Sequence, residues 1–413
     1  MVGGGPAGLM AAEVLASAGL SVTVLDHMPS VGRKLLLAGR SGLNLTNNEP
    51  IEQLLGRYGA SASRLGPALR AFGPDDLRAW SESLGEHTFV GSSGRVFPAS
   101  LRSTPLLRLW LGRLAGLGVE LRTRCRWLGC DADPLAIRVV DADGSESTEA
   151  VDAVVLALGG ASWPRVGSTG GWVPIVSGWG VAVAELRPSN CGVEVLWSDT
   201  FRARFAGTPI KNVRWTVGDR SGRGEAVVTD RGIEGGAVYS LGPELRGELD
   251  DRGSATVWLD LLPDLDRARV LERLTRRRPK ESVSTSLRRI GVADVGVGLL
   301  REATGNELPT RVDELVDLLG AVPVVVRGTQ PLDRAISTAG GIDLGEIDRH
   351  YGLVRRPGVF VCGEMLDWDA PTGGYLLQAC FSTGVAAARG VIEWLGPTGP
   401  CDLRPDQSGG STT

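Results

Sequence analysis

The chain lacks the features that mark membrane proteins and general nucleic-acid-binding proteins. No apolar run in its 413 residues approaches the roughly 18 residues of a membrane-spanning helix. Its 44 basic and 48 acidic side chains give a net charge of −4, whereas a nucleic-acid-binding surface needs an excess of basic groups. The apolar content of 42% is ordinary for a globular protein, and the length predicts two or three domains. We therefore expect neither a membrane nor a nucleic-acid partner.

Cysteine and histidine are also scarce, and neither forms a recognisable site. The three histidines, His27, His87 and His350, are far apart in sequence, so no metal site is predicted. Cys125 and Cys130 have the C-x4-C spacing of some disulfide reductases. Such a redox pair would have to follow the first βαβ unit closely, and these two residues lie far beyond it. They are therefore expected to be ordinary buried thiols.

The most informative pattern stands at the start of the chain, where residues 3–8 read G-x-G-x-x-G. A helical pattern runs from Pro6 to Ala18 and stops at Gly19. An apolar strand pattern at 21–25 then leads to Asp26. Glycines, helix, strand and acid in this order form the dinucleotide-binding fingerprint.

Each residue of the fingerprint has a physical task. Gly3 permits the tight turn, Gly5 leaves room for a pyrophosphate, and Gly8 lets the helix and strand pack closely. The helix N-terminus offers unpaired N–H groups to the phosphates, and Asp26 can accept a hydrogen bond from a ribose hydroxyl. A buried strand of about five residues normally precedes this turn, so we expect the native start to lie upstream of Met1.

A second informative stretch covers residues 32–47, GRKLLLAGRSGLNLTN. Arg33 and Lys34 can neutralise a pyrophosphate, whose charge a helix N-terminus alone does not balance. The glycines and Asn44 predict a tight loop under a flat ligand. The alternative interpretation is a basic helix start followed by a solvated turn.

A third stretch lies near the other end of the chain. A strand pattern at 358–362 is followed by a glycine-rich segment, 363–378, that leads into a helix ending at about Arg389. Backbone N–H groups at the start of such a helix would stabilise negative charge on a bound ring system. The alternative is a glycine-rich turn without a ligand.

Periodicity along the chain predicts an α/β fold class with an inserted unit. The expected segments are an α/β part at 1–188, a β-rich, barrel-like part at 189–260, a helical part at 261–321, returning strands at 322–339, a second α/β part at 340–396 and a disordered tail at 397–413. The two α/β parts would build one nucleotide site from opposite ends of the chain.

Taken together, these motifs resemble bacterial FAD-dependent oxidoreductases related to the bile-acid dienone reductase. The matching segments are 2–12, 32–47, 94–100, 156–171, 338–343 and 363–379. The resemblance implies a Rossmann-like FAD-binding domain of the glutathione-reductase kind, with a barrel-like and helical insertion. Two departures indicate a separate subfamily with an unidentified substrate: Leu43 replaces a frequent cysteine, and residues 229–236 replace the pattern T-H-x-G-x-S-G-P.

The resemblance also implies which residues hold the FAD. They are Gly3, Gly5, Ala7 and Gly8 at the pyrophosphate, Asp26 at the adenosine ribose, Arg33, Lys34 and Gly39 along the ADP and ribityl chain, Asn44 in the loop under the ligand, Trp127 at the adenine edge, Ala157, Leu158 and Gly159 near the ADP, Gly363 and Glu364 at the ribityl–pyrophosphate region, and Gly374, Tyr375 and Leu376 at the isoalloxazine.

The implied reaction is hydride transfer between flavin N5 and a small organic substrate, at a C=C or C=O group. No second fingerprint follows a strand, so NAD(P)H is expected to dock transiently as the electron donor. Arg95, Arg102, Trp163 and Tyr375 are candidates for the substrate face. Arg95 can bind an anionic group and Tyr375 can donate a proton, but each of the four can equally be structural, and no catalytic residue is assigned.

Two alternatives stay open at the level of sequence. Bound NAD instead of FAD can fill the fingerprint. An FAD-dependent tRNA-modifying protein would use the basic segments 276–280 and 288–289, for which a solvated helix face is the simpler interpretation. No signal peptide is visible, so a cytoplasmic location is expected, and the oligomeric state is not predicted.

Overall fold

The computed structural model describes residues 1–39, 42–276 and 280–396. The expected disordered tail at 397–413 lies outside the described residues, as do Arg277 and Arg278 of the basic segment. Within the described part of the chain, no helix is both long enough and apolar enough to cross a membrane.

The strands are, in chain order, β1 Thr23–Asp26, β2 Thr46–Asn47, β3 Thr88–Val90, β4 Arg95–Pro98, β5 Glu120–Thr123, β6 Arg126–Ala132, β7 Leu135–Val140, β8 Glu146–Ala150, β9 Val154–Leu156, β10 Val183–Ser189, β11 Val193–Val195, β12 Pro209–Val217, β13 Arg220–Thr229, β14 Gly232–Glu234, β15 Ala255–Asp260, β16 Val322–Thr329, β17 Ser337–Ile342 and β18 Val359–Val361.

The helices are α1 Pro6–Ser17, α2 Arg33–Ala38, α3 Ile51–Leu55, α4 Ala62–Ala71, α5 Pro74–Ser83, α6 Ser103–Gly116, α7 Val173–Ser177, α8 Asp199–Phe205, α9 Gly236–Tyr239, α10 Gly242–Arg252, α11 Arg267–Thr275, α12 Val283–Arg289, α13 Asp294–Ala303, α14 Val312–Gly320 and α15 Tyr375–Leu395. Short 3-10 helices occur at Gly56–Ser61, Pro164–Val166, Leu332–Arg334, Leu344–Glu346 and Gly363–Met365.

The chain divides into two compact units. The first combines Met1–Arg187 with the chain from Thr338 onward, and the second is Pro188–Ser337. The six-segment domain scheme drawn from the sequence, with its finer boundaries, stays a prediction.

A parallel sheet lies at the centre of the first unit. β1 pairs with β5, β9 pairs with β18, and Val2 bridges Leu25 on one side and Leu156 on the other. Strands that are buried on both faces are apolar throughout, and β9 and β18 are fully buried. The residues just before the fingerprint turn therefore occupy the middle of the sheet.

Helix α1 is fixed in this unit by a buried carboxylate. Glu13 Oε2 accepts hydrogen bonds from the indole Nε1 of Trp80 (3.0 Å) and of Trp110 (2.6 Å). Arg113 donates to Glu13 Oε1 at 3.0 Å. A buried carboxylate needs such partners, because leaving one unpaired costs several kcal/mol (about 3–5). The cluster ties α1 to α5 and α6, and so fixes the helix whose first turn carries the fingerprint.

The second unit is built on a closed six-stranded barrel with the order β11-β14-β13-β12-β15-β16. Its pairs are antiparallel, and Trp215, Val228 and Leu259 are fully buried in its core. A barrel of so few strands is filled by its own side chains. The sequence expectation of an α/β Rossmann-like fold with a barrel-like and helical insertion is confirmed.

Candidate functional site

The glycines of the N-terminal turn differ in what surrounds them. Gly3 has a φ of +103°, and a Cβ there would lie 2.3 Å from the Ala157 carbonyl oxygen. A Cβ on Gly8 would lie 2.0 Å from the Gly3 carbonyl oxygen. A Cβ on Gly5 would meet no described atom within 4 Å. Gly3 and Gly8 are therefore required by packing, whereas Gly5 leaves open space at the start of α1.

Two long helices of this unit begin without a side-chain cap. Gly5 is the N-cap of α1 and Gly374 is the N-cap of α15, and neither has a side chain to offer the first N–H groups. Uncapped helix N-termini carry partial positive charge and free N–H donors, which favour an anionic ligand. From the sequence, we expect these two helix starts to face the same cofactor.

Asp26 ends β1 beside the turn, and its carboxylate is held by two amides. Oδ2 accepts from the Gly4 N–H at 2.9 Å and Oδ1 from the Met28 N–H at 2.8 Å. Each oxygen keeps a second lone pair, so the carboxylate can still accept from a ribose hydroxyl. Its contact with the ribose stays a prediction.

Lys34 and Glu364 join the two ends of the chain. Lys34 Nζ lies 2.6 Å from Glu364 Oε2 and donates to Ser162 Oγ at 2.7 Å. The other Glu364 oxygen accepts from the Thr338 N–H at 3.0 Å. Because the ammonium is balanced by a carboxylate, its charge is less available to a diphosphate than the sequence analysis supposed.

Arg33 is left as the better candidate for charge compensation. Its Nε is buried and has no hydrogen-bond partner in the described chain. One terminal nitrogen donates to Ser30 Oγ at 3.2 Å, a neutral partner that leaves the guanidinium charge unbalanced. The guanidinium can pair with a diphosphate through two parallel hydrogen bonds.

The segment after α2, which comprises a loop and the short strand β2, carries two buried acceptors without partners. Asn44 Oδ1 and Asn47 Oδ1 accept no hydrogen bond from the described residues. Buried polar atoms are nearly always hydrogen-bonded, so orphaned ones indicate a ligand or water. Asn44 is among the cofactor residues predicted from the sequence, whereas Asn47, which is only 4% exposed, is not.

The glycine turn before α15 brings that helix against β2. Gly374 has a φ of +97°, and a Cβ there would lie 2.4 Å from the Thr46 carbonyl carbon. Thr46 Oγ1 donates to Gln378 Oε1 at 2.6 Å, and Tyr58 Oη donates to the Tyr375 carbonyl at 2.8 Å. The first turn of α15 is thus fixed beside the loop with the orphaned acceptors.

Tyr375 lies in a small polar cluster that the sequence analysis missed. Arg57 places its guanidinium carbon 5.6 Å from the centre of the Tyr375 ring. Arg57 also donates two hydrogen bonds to Glu49, one of them at 3.0 Å. Burial, first of all, raises the pKa of Tyr375 to about 12, while the hydrogen bond from Arg57 lowers the pKa of Glu49. Tyr375 therefore keeps its proton at neutral pH.

The other substrate-face candidates are more dispersed. Arg95 is exposed at the start of β4, opposite Asn47 in the β2–β4 ladder. Arg102 is exposed as the N-cap of α6. Trp163 has a φ of +60°, an uncommon conformation for a bulky side chain. Within the described chain, no hydrogen bond, ion pair or ring contact joins Arg95, Arg102 or Trp163 to Tyr375.

The remaining predicted cofactor residues lie along the same unit. A Cβ on Gly39 would lie 2.3 Å from Ser103 Oγ, so this position requires glycine. The Leu158 N–H points at Met365 Sδ (3.0 Å), and the Gly159 carbonyl accepts from Trp172 Nε1 (2.8 Å). These backbone groups are fixed just beyond the end of β9.

The last four residues predicted to contact the cofactor are Ala7, Trp127, Gly363 and Leu376. A Cβ on Gly363 would lie 2.8 Å from Ala7 Cβ, so the fingerprint helix and the C-terminal segment are packed directly together. Trp127 is buried in β6, and its indole Nε1 has no partner in the described chain. Leu376, in the first turn of α15, is partly buried. Contact of these residues with a cofactor stays a prediction.

Cys125 and Cys130 are buried free thiols, as expected. Burial raises the pKa of each to about 11, so both are protonated and unreactive at neutral pH.

Two kinds of curated relatives match nearly the whole chain. The 3-dehydro-bile acid delta(4,6)-reductase of Clostridium scindens is 25% identical over 422 residues, which cover 95% of this chain and 98% of the relative. The ribosomal RNA dihydrouridine synthase of Haemophilus influenzae is 25% identical over 402 residues, covering 95% and 97%.

Two solved structures share the fold of this chain. The 3-ketosteroid delta1-dehydrogenase of Sterolibacterium denitrificans superposes with a TM-score of 0.52 at 13% identity, over 94% of this chain and 98% of that chain. Sdh1 of Mycobacterium smegmatis gives 0.51 at 16% identity, over 95% and 67%.

The residues present fit FAD. Gly5 leaves space where a diphosphate would meet the start of α1, and the orphaned atoms of Arg33, Asn44 and Asn47 offer the donor and acceptors that a flavin nucleotide needs. The family profile described as "HI0933-like protein Rossmann domain" matches residues 1–390. The resemblance drawn from the sequence motifs is confirmed. The chain belongs to this HI0933-like Rossmann-domain family and is an FAD-dependent oxidoreductase.

Proposed function

We propose that this enzyme reduces a C=C or C=O group of a small organic substrate, with NAD(P)H as a transient electron donor and the cytoplasm as its location. The observation that carries the proposal is the position of Tyr375 at the start of α15, directly after the Gly373–Gly374 turn. When bound, the flavin supplies hydride transfer at N5. The protein must then supply a proton and hold the substrate.

Tyr375 is the proposed proton donor. Its raised pKa, about 12, keeps the phenol protonated throughout the working pH range. Arg57 and Glu49 restrain the ring, since the guanidinium lies over it and is itself held by the carboxylate. A restrained donor raises the rate because little reorganisation is needed when the proton moves.

The side chains of the β3–β4 hairpin favour a substrate that is apolar and carries an acidic group. Phe89 is 44% exposed, and its ring stacks on Phe97 with centroids 5.7 Å apart. Phe97 Cε1 would lie 3.9 Å from a Cβ on Gly42, so the aromatic pair neighbours the loop proposed to lie under the flavin. Arg95 is exposed on the same hairpin and is free to pair with a carboxylate. The bile-acid reductase similarity favours a polycyclic acid of this kind.

The test is turnover with an unsaturated 3-oxo steroid acid as substrate and NADPH or NADH as donor. Tyr375→Phe should lower kcat about 100-fold or more, because the proton then comes from water. Tyr239→Phe is the matched control: Tyr239 lies in the second unit, and burial likewise raises its pKa to about 12. Unchanged turnover in Tyr375→Phe would remove Tyr375 as the donor. Absence of turnover in the unmodified enzyme with every 3-oxo acid would remove this substrate class.

The tRNA-modifying alternative is not favoured by the charge distribution. Arg276 pairs with Glu272 at 2.5 Å, and Arg289 with Glu281 at 3.2 Å. Arg288 pairs with Asp294. These local ion pairs cancel much of the positive charge that the basic segments 276–280 and 288–289 would need to bind a phosphate backbone.

A further inference from the structure

The second unit contains a cleft that the proposed reaction does not use. Helices α8, α12 and α13 and the turn after α13 line a half-open cleft with a volume of about 680 Å³. Its lining includes Thr200, Arg204, Ser284, Arg301 and Asn306. A cleft of this volume falls within the range of small-molecule sites, roughly 300–1,000 Å³.

Two of the guanidinium groups on this cleft form no ion pair with a carboxylate. Arg301 donates to the neutral Asn306 Oδ1 at 2.6 Å and Ser284 Oγ at 3.1 Å. Arg204 lies over the Phe205 ring, with its guanidinium carbon 5.1 Å from the ring centre. Among the described residues, neither Arg204 nor Arg301 has an acidic group within ion-pair distance.

The carboxylates on the cleft are already engaged. Asp294 is paired with Arg288, the third arginine of the lining. Glu302 accepts from the Ser198 N–H at 3.0 Å and from Ser198 Oγ at 2.5 Å. The lining thus carries three guanidinium groups and two carboxylates, which leaves an excess of one positive charge. Neither carboxylate forms an ion pair with Arg204 or Arg301.

The walls of the cleft are held in place by close packing. A Cβ on Gly298 of α13 would lie 2.5 Å from Phe205 Cε2 and 2.9 Å from Phe201 Cε2, so α8 and α13 meet at a glycine. The Ser198–Glu302 bonds join the start of α8 to the last turn of α13. Positions fixed in this way lose little freedom when a ligand binds, which favours affinity.

We propose that this cleft binds a small organic phosphate of about mononucleotide size. Arg204 and Arg301 would pair with the phosphate oxygens, since guanidinium groups match the geometry of phosphate. The hydroxyl of Thr200, which lines the same cleft, would add a hydrogen bond. This proposal is independent of the reaction proposed above.

The test measures binding of 5′-AMP and inorganic pyrophosphate to the FAD-loaded enzyme by isothermal titration calorimetry. Loading with FAD fills the diphosphate region of the first unit, so that it does not contribute to the signal. Arg204→Gln should weaken binding at least tenfold. Arg202→Gln is the matched control, because Arg202 lies on the same helix, is paired with Asp199 at 2.6 Å and does not line the cleft. It should bind within about twofold of the unmodified enzyme, as expected for a surface charge outside the site.

A second variant covers the case in which Arg204→Gln does not fold. Ser284→Ala removes one partner of Arg301 and should weaken binding about threefold, as expected for a single neutral hydrogen bond. The proposal is overturned if neither probe binds at millimolar concentration, or if Arg202→Gln and Arg204→Gln lose affinity equally. It is also overturned if a short single-stranded RNA binds and the two small probes do not.

Discussion

The two units of the chain leave different groups without protein partners. In the first unit, the described residues include six buried polar atoms without a hydrogen bond, on Arg33, Asn44, Asn47, Trp127, Ser168 and Tyr351. In the second unit there are two, on Glu244 and Ser286. We expect the orphaned atoms of Arg33, Asn44 and Asn47 in the first unit to be donors and acceptors for its cofactor. The second unit leaves fewer buried polar atoms without a partner, and the guanidinium groups of Arg204 and Arg301, which form no ion pair, lie on its cleft.

The largest expected effect is the loss of stability of the first unit when FAD is removed. Saturation at about 1,000 times the Kd stabilises a protein by about 4 kcal/mol, and only the unit that binds the ligand gains this. Hydrogen exchange of the apo and holo enzymes should show lost protection at residues 1–8, 32–39 and 363–378 in the apo form. The barrel strands β12, β13 and β15 should be unchanged. Equal loss in the barrel would contradict the comparison.

A pair of glycine substitutions tests the fingerprint turn itself. Gly8→Ala forces a Cβ to within 2.0 Å of a backbone oxygen and should destabilise the first unit by about 3 kcal/mol. Gly5→Ala meets no protein atom and should cost about 1 kcal/mol or less as an N-cap change. Both variants should lose FAD affinity, but only Gly8→Ala should lower the melting temperature of the apo protein strongly. Similar melting temperatures for the two would show that the turn is not shaped as described.

Variants of Arg33 and Lys34 distinguish a side chain that compensates the charge of the cofactor from one that stabilises the fold. Arg33→Gln should weaken FAD binding about tenfold, which corresponds to about 1.4 kcal/mol, while apo stability changes little. Lys34→Met should change FAD affinity little but lower the stability of the apo protein by about 2 kcal/mol, because the carboxylate of Glu364 loses its cationic partner. The double variant Lys34→Met with Glu364→Gln should recover most of that loss. FAD titrations and thermal melts of the same preparations distinguish the two roles.

The smallest expected effect is a shift in the pH dependence of activity when Glu49 or Arg57 is replaced. The negative charge of Glu49 and its hydrogen bond both raise the pKa of Tyr375, and Arg57 lowers it. Because the protonated phenol is the proposed donor, activity that depends on it should be retained at neutral pH and lost as the pH rises through about 12. Glu49→Gln should move this loss to lower pH, and Arg57→Gln to higher pH. A profile unaffected by either variant would exclude Tyr375 as the titrating group.

Much of the first unit was predictable because its signals are local. The helix expected from Pro6 to Ala18 is observed as Pro6–Ser17, and Gly19 has the φ of +85° that its role as a stop requires. The strand expected at 21–25 is shifted to Thr23–Asp26. The last helix continues past Arg389 and through Gly390 to Leu395, and ends at Gly396. Gly390 does not end it, because this glycine is a packing position where a Cβ would lie 2.1 Å from the His350 carbonyl oxygen.

The polar clusters of the site could not be predicted, because their members are far apart in sequence. Lys34 meets Glu364 across 330 positions, and Tyr58 meets Tyr375 across 317. Glu49 and Arg57 stand in a segment without a motif, and only the fold brings them to Tyr375. The one local signal that was overlooked is Asn47, a polar residue three positions after Asn44 in the same sequence motif, 32–47.

The pairing of β9 with β18 has a consequence for how the protein is made. β18 belongs to the last part of the chain, and the whole second unit, Pro188–Ser337, is translated between the two strands. At about 5–20 residues per second, the ribosome needs on the order of 10–40 s to translate the chain between the two strands. Throughout this time the nascent N-terminal region waits with its sheet incomplete and apolar edges uncovered. The second unit can therefore complete its barrel before the sheet of the first unit is complete, and the apolar edges of the N-terminal segment are accessible to chaperones during that interval.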